Sequence, residues 1–173
     1  MDIIENTFEY QLIKSYYGEK RAIRSNVLLI NHIEEGLQIL LHRKADLTTQ
    51  QAYCLHPIFQ GDTDLAENYN LVDISKISAQ SLLLAIEYRN IANQYLSHKE
   101  IDSIEKIQLS PLGQVNEMLV ADKIQNRKDF EVYHAHTHPR AQILSQYFKN
   151  WLARLDVSEE TYLFYFQILN SSL

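Results

Sequence analysis

Three short stretches of this chain carry side chains that could do chemistry together. The first is Arg24-Ser25, leading into Ile30-Asn31-His32. The second is Leu55-His56-Pro57, followed by Gln60, Gly61 and Asp62-Thr63-Asp64. The third is Ala121-Asp122-Lys123-Ile124-Gln125-Asn126. His32, His56 and Asp122 each lie on or beside an apolar helical run, and a helical bundle can converge residues this far apart in its core. Imidazole and carboxylate ligands suit manganese, iron or zinc. Each residue also has a plainer reading: a packed, hydrogen-bonded histidine, or a capping or solvated aspartate. A further cluster, His134-Ala135-His136-Thr137-His138, alternates histidines that share a face only in an extended segment. It reads as a solvated connection ahead of Pro139, with His134 or His138 still able to line a pocket.

The elements that must position these residues read as helices. With only 4 Gly and 3 Pro, the chain has few places to turn, which favours long helices over many strands. Residues 2–17 carry one apolar stripe at helical spacing. A helix over about 27–43 turns Ile30, Ile33, Leu37, Leu40 and Leu41 inward. Thr48, with Gln51 three residues on, resembles a capping box and opens a helix that should end near Pro57. Residues 61–64 read as a loop, and 65–77 are ambiguous. Ser78 caps a helix to about 97. Ser110-Pro111 starts another, running to about Tyr133. Two last helices span about 140–154 and 158–169, the final one apolar almost all round and so either buried or packed on a partner chain. The expectation is one all-α domain over residues 1–173, with seven or eight helices.

Composition narrows the function. Hydrophobic residues make up 46% of the chain and charged residues 22%, which is globular rather than disordered. A net charge of -6 argues against general nucleic-acid binding. A local basic pocket for a small phosphorylated ligand remains open, from Arg21, Arg24, Lys123, Arg127 and Lys128. Lys128 with Asp129 reads alternatively as a solvated face. Glu87 and Arg89 do not face each other on a helix; Glu87 can pair with Asn90 or with a neighbouring helix, in a buried polar network or in a functional role. Cys54, in an apolar stretch, reads as a small core residue. No run is long enough for a membrane span, and the N-terminus lacks signal-peptide features, so a cytoplasmic protein is expected.

In their order and spacing the three stretches resemble the HD domain of RelA/SpoT-type hydrolases, above all the small stand-alone alarmone hydrolases. That family carries an Arg-Ser segment leading to Ile-Asn-His, then Leu-Leu-His-Asp with a later Glu-Asp-Thr, then Leu-Ala-Asp-Lys-Leu-x-Asn-Leu. Tyr147-Phe148-Lys149-Asn150-Trp151 resembles its C-terminal Tyr-Phe-x-Trp helix. The resemblance covers roughly residues 20–155. It implies an HD-like helical bundle and hydrolysis of a pyrophosphate from the 3′ position of a guanosine nucleotide such as (p)ppGpp. It also implies one Mn²⁺ on His32, His56 and Asp122, with Arg24, Ser25, Lys123 and Asn126 near the nucleotide. The family's second carboxylate ligand is Pro57 here. Its acidic pair falls on Gln60 and Gly61 by direct counting, or on Asp62 and Asp64 if the loop is longer, which makes Asp62 the candidate for water activation. The same motifs fit a non-catalytic descendant that binds a nucleotide or a protein partner, or a helical interaction protein that uses the aromatic C-terminal helix, alone or as a homo-oligomer.

Overall fold

The computed structural model describes residues 2–23, 25–96 and 103–171. Among them the fold is all-α, with nine α-helices and no strand beyond an isolated antiparallel bridge between Arg21 and Leu28. The helices are α1 (Asp2–Glu5), α2 (Phe8–Tyr17), α3 (Ile30–His42), α4 (Leu47–Phe59), α5 (Asp62–Leu71), α6 (Ala79–Gln94), α7 (Gly113–Asp129), α8 (Ala141–Arg154) and α9 (Glu159–Ser171). Helix α4 is the hub. It packs against α6 and α2 most extensively, and also against α3, α5 and α7. Accordingly it is buried on all sides, from Ala52 through His56 and again at Ile58 and Phe59. Cys54 is part of this core, and burial pushes its thiol well above the ordinary range.

Several boundaries depart from the sequence expectations, each for a local reason. The first apolar stripe is two helices, because the Thr7 hydroxyl accepts from Tyr10 N and restarts the chain at α2. The next helix begins at Ile30, since the residues just before it pair backwards, Leu28 bridging to Arg21 and Leu29 N donating to Lys20 O. Asp46, not Thr48, caps α4: its Oδ1 accepts from Thr49 N at 2.7 Å, and an aspartate at that position satisfies an end N–H directly. The stretch after Gly61 is helical from Asp62 onward, with Gly61 at the cap. The break at Thr7 and the helix α5 bring the total above the expected seven or eight. Ser78 and Ser158 cap α6 and α9 through Ser81 N and Thr161 N.

Pro57 does not end its helix. The residue before a proline is biased away from helical geometry, and a proline inside a helix costs about 3 kcal/mol. Yet α4 continues two residues further, to Phe59, held by the burial of Ile58 and Phe59. Helix α7 also has an irregular end. Phe130–His134 winds as a single π turn, closed by Ala135 N donating to Phe130 O at 2.8 Å.

Helix α9 buries Tyr162, Tyr165 and Leu169 and leaves Leu163 and Phe164 half exposed. Arg127 ties it to α7, bonding Glu131 and Glu159 and stacking 3.7 Å over the Tyr162 ring. Among the described residues no helix is long and apolar enough to cross a membrane.

Candidate metal centre

Each of three elements supplies one ligand atom. The first turn of α3 carries His32, α4 carries His56 beside its proline, and the middle of α7 carries Asp122. The mutual distances are 3.2 Å from His32 Nε2 to His56 Nε2, 3.5 Å from His32 Nε2 to Asp122 Oδ1, and 3.8 Å from His56 Nε2 to Asp122 Oδ1. A triangle of these sides has a centre about 2 Å from every corner, which is the bond length of a divalent transition ion to imidazole nitrogen or carboxylate oxygen.

The hydrogen bonds behind the ligands decide which atoms face that centre. His32 Nδ1 meets Gln125 Oε1 at 2.6 Å. The Gln125 amide can point only one way, because its NH₂ donates to Glu35 Oε2 at 3.0 Å and to Asp129 Oδ2 at 2.8 Å, and ionised carboxylates only accept. His32 Nδ1 therefore donates, and in the neutral ring the lone pair is on His32 Nε2. His56 Nδ1 meets the Tyr53 carbonyl at 2.6 Å, so His56 Nε2 carries one too. With both rings neutral, three acceptors, two nitrogens and an oxygen, converge there. Such an arrangement of lone pairs and negative charge attracts a cation. A proton on His56 is disfavoured: burial drives that imidazole down to about 3 against the pull of Asp122. The donor set therefore fits a divalent ion.

Asp122 is held for the same purpose. Burial works against its charge, but the Lys123 ammonium beside it keeps it ionised, at about 2. Asn126 Nδ2 donates to Oδ1 at 2.8 Å, and Lys123 Nζ bonds Oδ2 at 2.9 Å. Lys123 is itself buried, lying 5.2 Å from the Trp151 ring centre and 5.7 Å from that of Tyr147. Its cation belongs to Asp122 and the aromatic cage. Two wholly buried tyrosines, Tyr53 and Tyr88, pack their rings on His56 at 4.6 and 4.7 Å. Among the described residues the Tyr53 hydroxyl has no hydrogen-bond partner, and that of Tyr88 faces Asp122. That of Tyr53 presses on Gly36, the close approach of α3 to α4.

A cavity of about 540 Å³ opens over the triad. Ser25, Gln60, Lys123 and Asn126 line it. His134 and His138 line it as well, whereas His136 is exposed. Phe130, Tyr147 and Phe148 form an aromatic wall. Arg24 lies outside the described residues.

Other candidate residues lie elsewhere. Asp62 is not on this wall: it opens α5 with its side chain in solvent and pairs with Arg89 from α6. The rest of the expected basic set is also engaged elsewhere. Arg127 is bound to Glu131 and Glu159, Lys128 to Glu35 and Asp129, and Arg21 to the Asn26 carbonyl. Lys128 is fully buried, which corrects its reading as a solvated face; its cation offsets Glu35 at 2.7 Å, a partner on another helix. Glu87 does take part in a polar network, accepting from Ser110 Oγ at 2.8 Å and Asn90 Nδ2 at 3.4 Å.

Sequence reasoning missed Gln125 and Glu35, which orient the ligands. Their signal was present: each stands three residues after a ligand on the same helix face, Glu35 after His32 and Gln125 after Asp122. No protein-family model, curated protein or solved structure matches the chain.

Proposed function

We propose that this protein is a divalent-metal-dependent phosphohydrolase acting on a small phosphorylated nucleotide, of the kind handled by the (p)ppGpp hydrolases whose motifs its sequence resembles. One observation carries the reading: His32 Nε2, His56 Nε2 and Asp122 Oδ1 converge as three acceptors about a point at metal-bond distance, beneath a cavity large enough for a small ligand. A bound Mn²⁺ or similar ion would supply Lewis-acid polarisation of a phosphate and a nucleophile from water. The chain's own residues do the rest. His32, His56 and Asp122 hold the ion in a two-histidine, one-carboxylate set with open positions. Lys123 and Asn126 fix the carboxylate. Phe130, Tyr147 and Phe148 offer faces for a base, and Ser25, Gln60, His134 and His138 offer polar contacts along the same wall.

A specific observation favours a second reading, a domain that binds such a ligand without turning it over. Position 57 has no carboxylate, Asp62 faces solvent, and Asp129 on the cavity wall is taken up by Gln125 and Lys128. Among the described wall residues no carboxylate is then free to act as a base. Metal analysis of the purified protein, followed by phosphate and pyrophosphate release from a nucleotide panel with added Mn²⁺, separates the two. Near-stoichiometric metal with release supports the hydrolase. Metal with thermal stabilisation by guanine nucleotides and no release supports the binder. Substoichiometric metal that added Mn²⁺ or Zn²⁺ does not raise would sink both as metal-centred readings.

A further inference from the structure

In an uninterrupted α-helix the Tyr53 carbonyl would accept from the backbone N–H four residues on, which is position 57. Pro57 has no N–H to give. The Tyr53 carbonyl, buried in the core, instead meets His56 Nδ1 at 2.6 Å. Since a carbonyl only accepts, the hydrogen is on Nδ1 and the lone pair on Nε2. Nε2 is the atom 3.2 Å from His32 Nε2 and 3.8 Å from Asp122 Oδ1.

We infer that Pro57 is a positioning residue: by withholding its N–H it reserves the Tyr53 carbonyl for His56, and so locks His56 in the tautomer and ring orientation that present Nε2 to the metal centre. The inference rests on the metal-binding reading above and adds a reason for the proline. Position 57 does not simply lack a ligand; it orients the ligand beside it through the backbone. His32 reaches the same tautomer by a different route, through a side chain, Gln125, whose amide two carboxylates hold in one orientation. Each histidine thus has its own outer partner, the arrangement by which proteins fix a metal-binding imidazole.

The test is Pro57→Ala, which restores the N–H and the regular helix bond to Tyr53 O while improving helix propensity, so the fold is retained. Two measurements are made on it and on the unsubstituted protein. The first is long-range ¹H–¹⁵N correlation of the His56 ring in metal-free protein, which reports the tautomer directly. The unsubstituted protein should show Nδ1–H alone, and Pro57→Ala a mixture or a shift toward Nε2–H. The second is Zn²⁺ affinity by competition with a chelating dye, expected to fall roughly tenfold or more in Pro57→Ala, as for other losses of an outer partner. An Nε2–H tautomer in the unsubstituted protein, or the same pure Nδ1–H tautomer in both proteins, would overturn the inference. If neither protein binds Zn²⁺ the metal reading fails, but the tautomer comparison still decides the role of Pro57.

Discussion

Gly36→Ala tests how closely the two histidine-bearing helices must approach. Gly36 is buried in α3, and a Cβ built there would fall closer than 3.0 Å to the Tyr53 hydroxyl and to two carbons of its ring, distances real Cβ atoms do not show. Two terms of opposite sign follow. Alanine gains about 1 kcal/mol of helix propensity over glycine. Overpacking a filled core costs about 1–3 kcal/mol, occasionally more. Tyr53 is fully buried, with its ring against His56 on one side and His32 at 5.9 Å on another, so it has no empty space to move into. The cost therefore belongs at the upper end, and a net loss of about 2 kcal/mol is expected. For a chain of this length that lowers the melting temperature by about 4–8 °C. Because the ring can yield only by displacing the imidazoles, metal affinity should fall too. Calorimetry and chelator competition measure both. Adding Tyr53→Leu, which shortens the offending side chain, should return part of the loss as a coupling of about 0.5 kcal/mol or more. A Gly36→Ala protein that is more stable and binds metal equally well would refute the close approach and the linkage drawn from it.

Stability of the metal-free protein should fall with acidity. His56 is held neutral in the fold, at about 3 against 6.5 when free, so the unfolded chain binds its proton first. Stability is expected to decline as the pH drops from about 6.5 towards 3, with the contribution of Asp122 lost in addition from about 3.8 towards 2; a His56→Gln protein whose melting temperature follows the same curve would remove His56 as the cause. Asp62→Asn should change stability by no more than about 0.5 kcal/mol, since its partner Arg89 meets it in solvent, and should leave metal affinity and any phosphate release unaltered. A loss of turnover in that variant, with metal still bound, would put Asp62 in the chemistry after all.

Much of the helical frame was legible in the sequence because apolar spacing and serine caps are local signals. Ala79–Gln94, Ala141–Arg154 and Glu159–Ser171 lie close to where periodicity puts them. The misplaced boundaries arise where a local rule meets a stronger distant force. The bias of His56 away from helix is overridden by the burial of Ile58 and Phe59, and the start at Val27 by the bridge that Leu28 makes to Arg21. The site divides in the same way. Residue type and order pointed to His32, His56 and Asp122, which do converge. The engagement of Asp62 by Arg89, of Lys123 by Asp122 and of Lys128 by Glu35 could not be read locally, because each pairing depends on how helices face one another or on a rotamer. Gln125 stands on the same helix face as Asp122, which marks it in the sequence, but its partners His32 and Glu35 on α3 are what fix its amide orientation.

The π turn at Phe130–His134 bears on how this cavity could have been made. A π turn holds one residue more than the α turn it replaces, so the side chains at its end are rotated by about 100° from where an α turn would put them. Phe130 at its start and His134 at its end both reach the cavity wall, while Val132 between them points to solvent. A single inserted codon would be enough to change which residues α7 sends towards the cavity beyond Asp129, leaving the ligand-bearing turns upstream in phase. The half of the wall carrying His32, His56 and Asp122 and the half carrying His134 and His138 thus lie on either side of the π turn, so a change of winding there would alter the second half and leave the first in place.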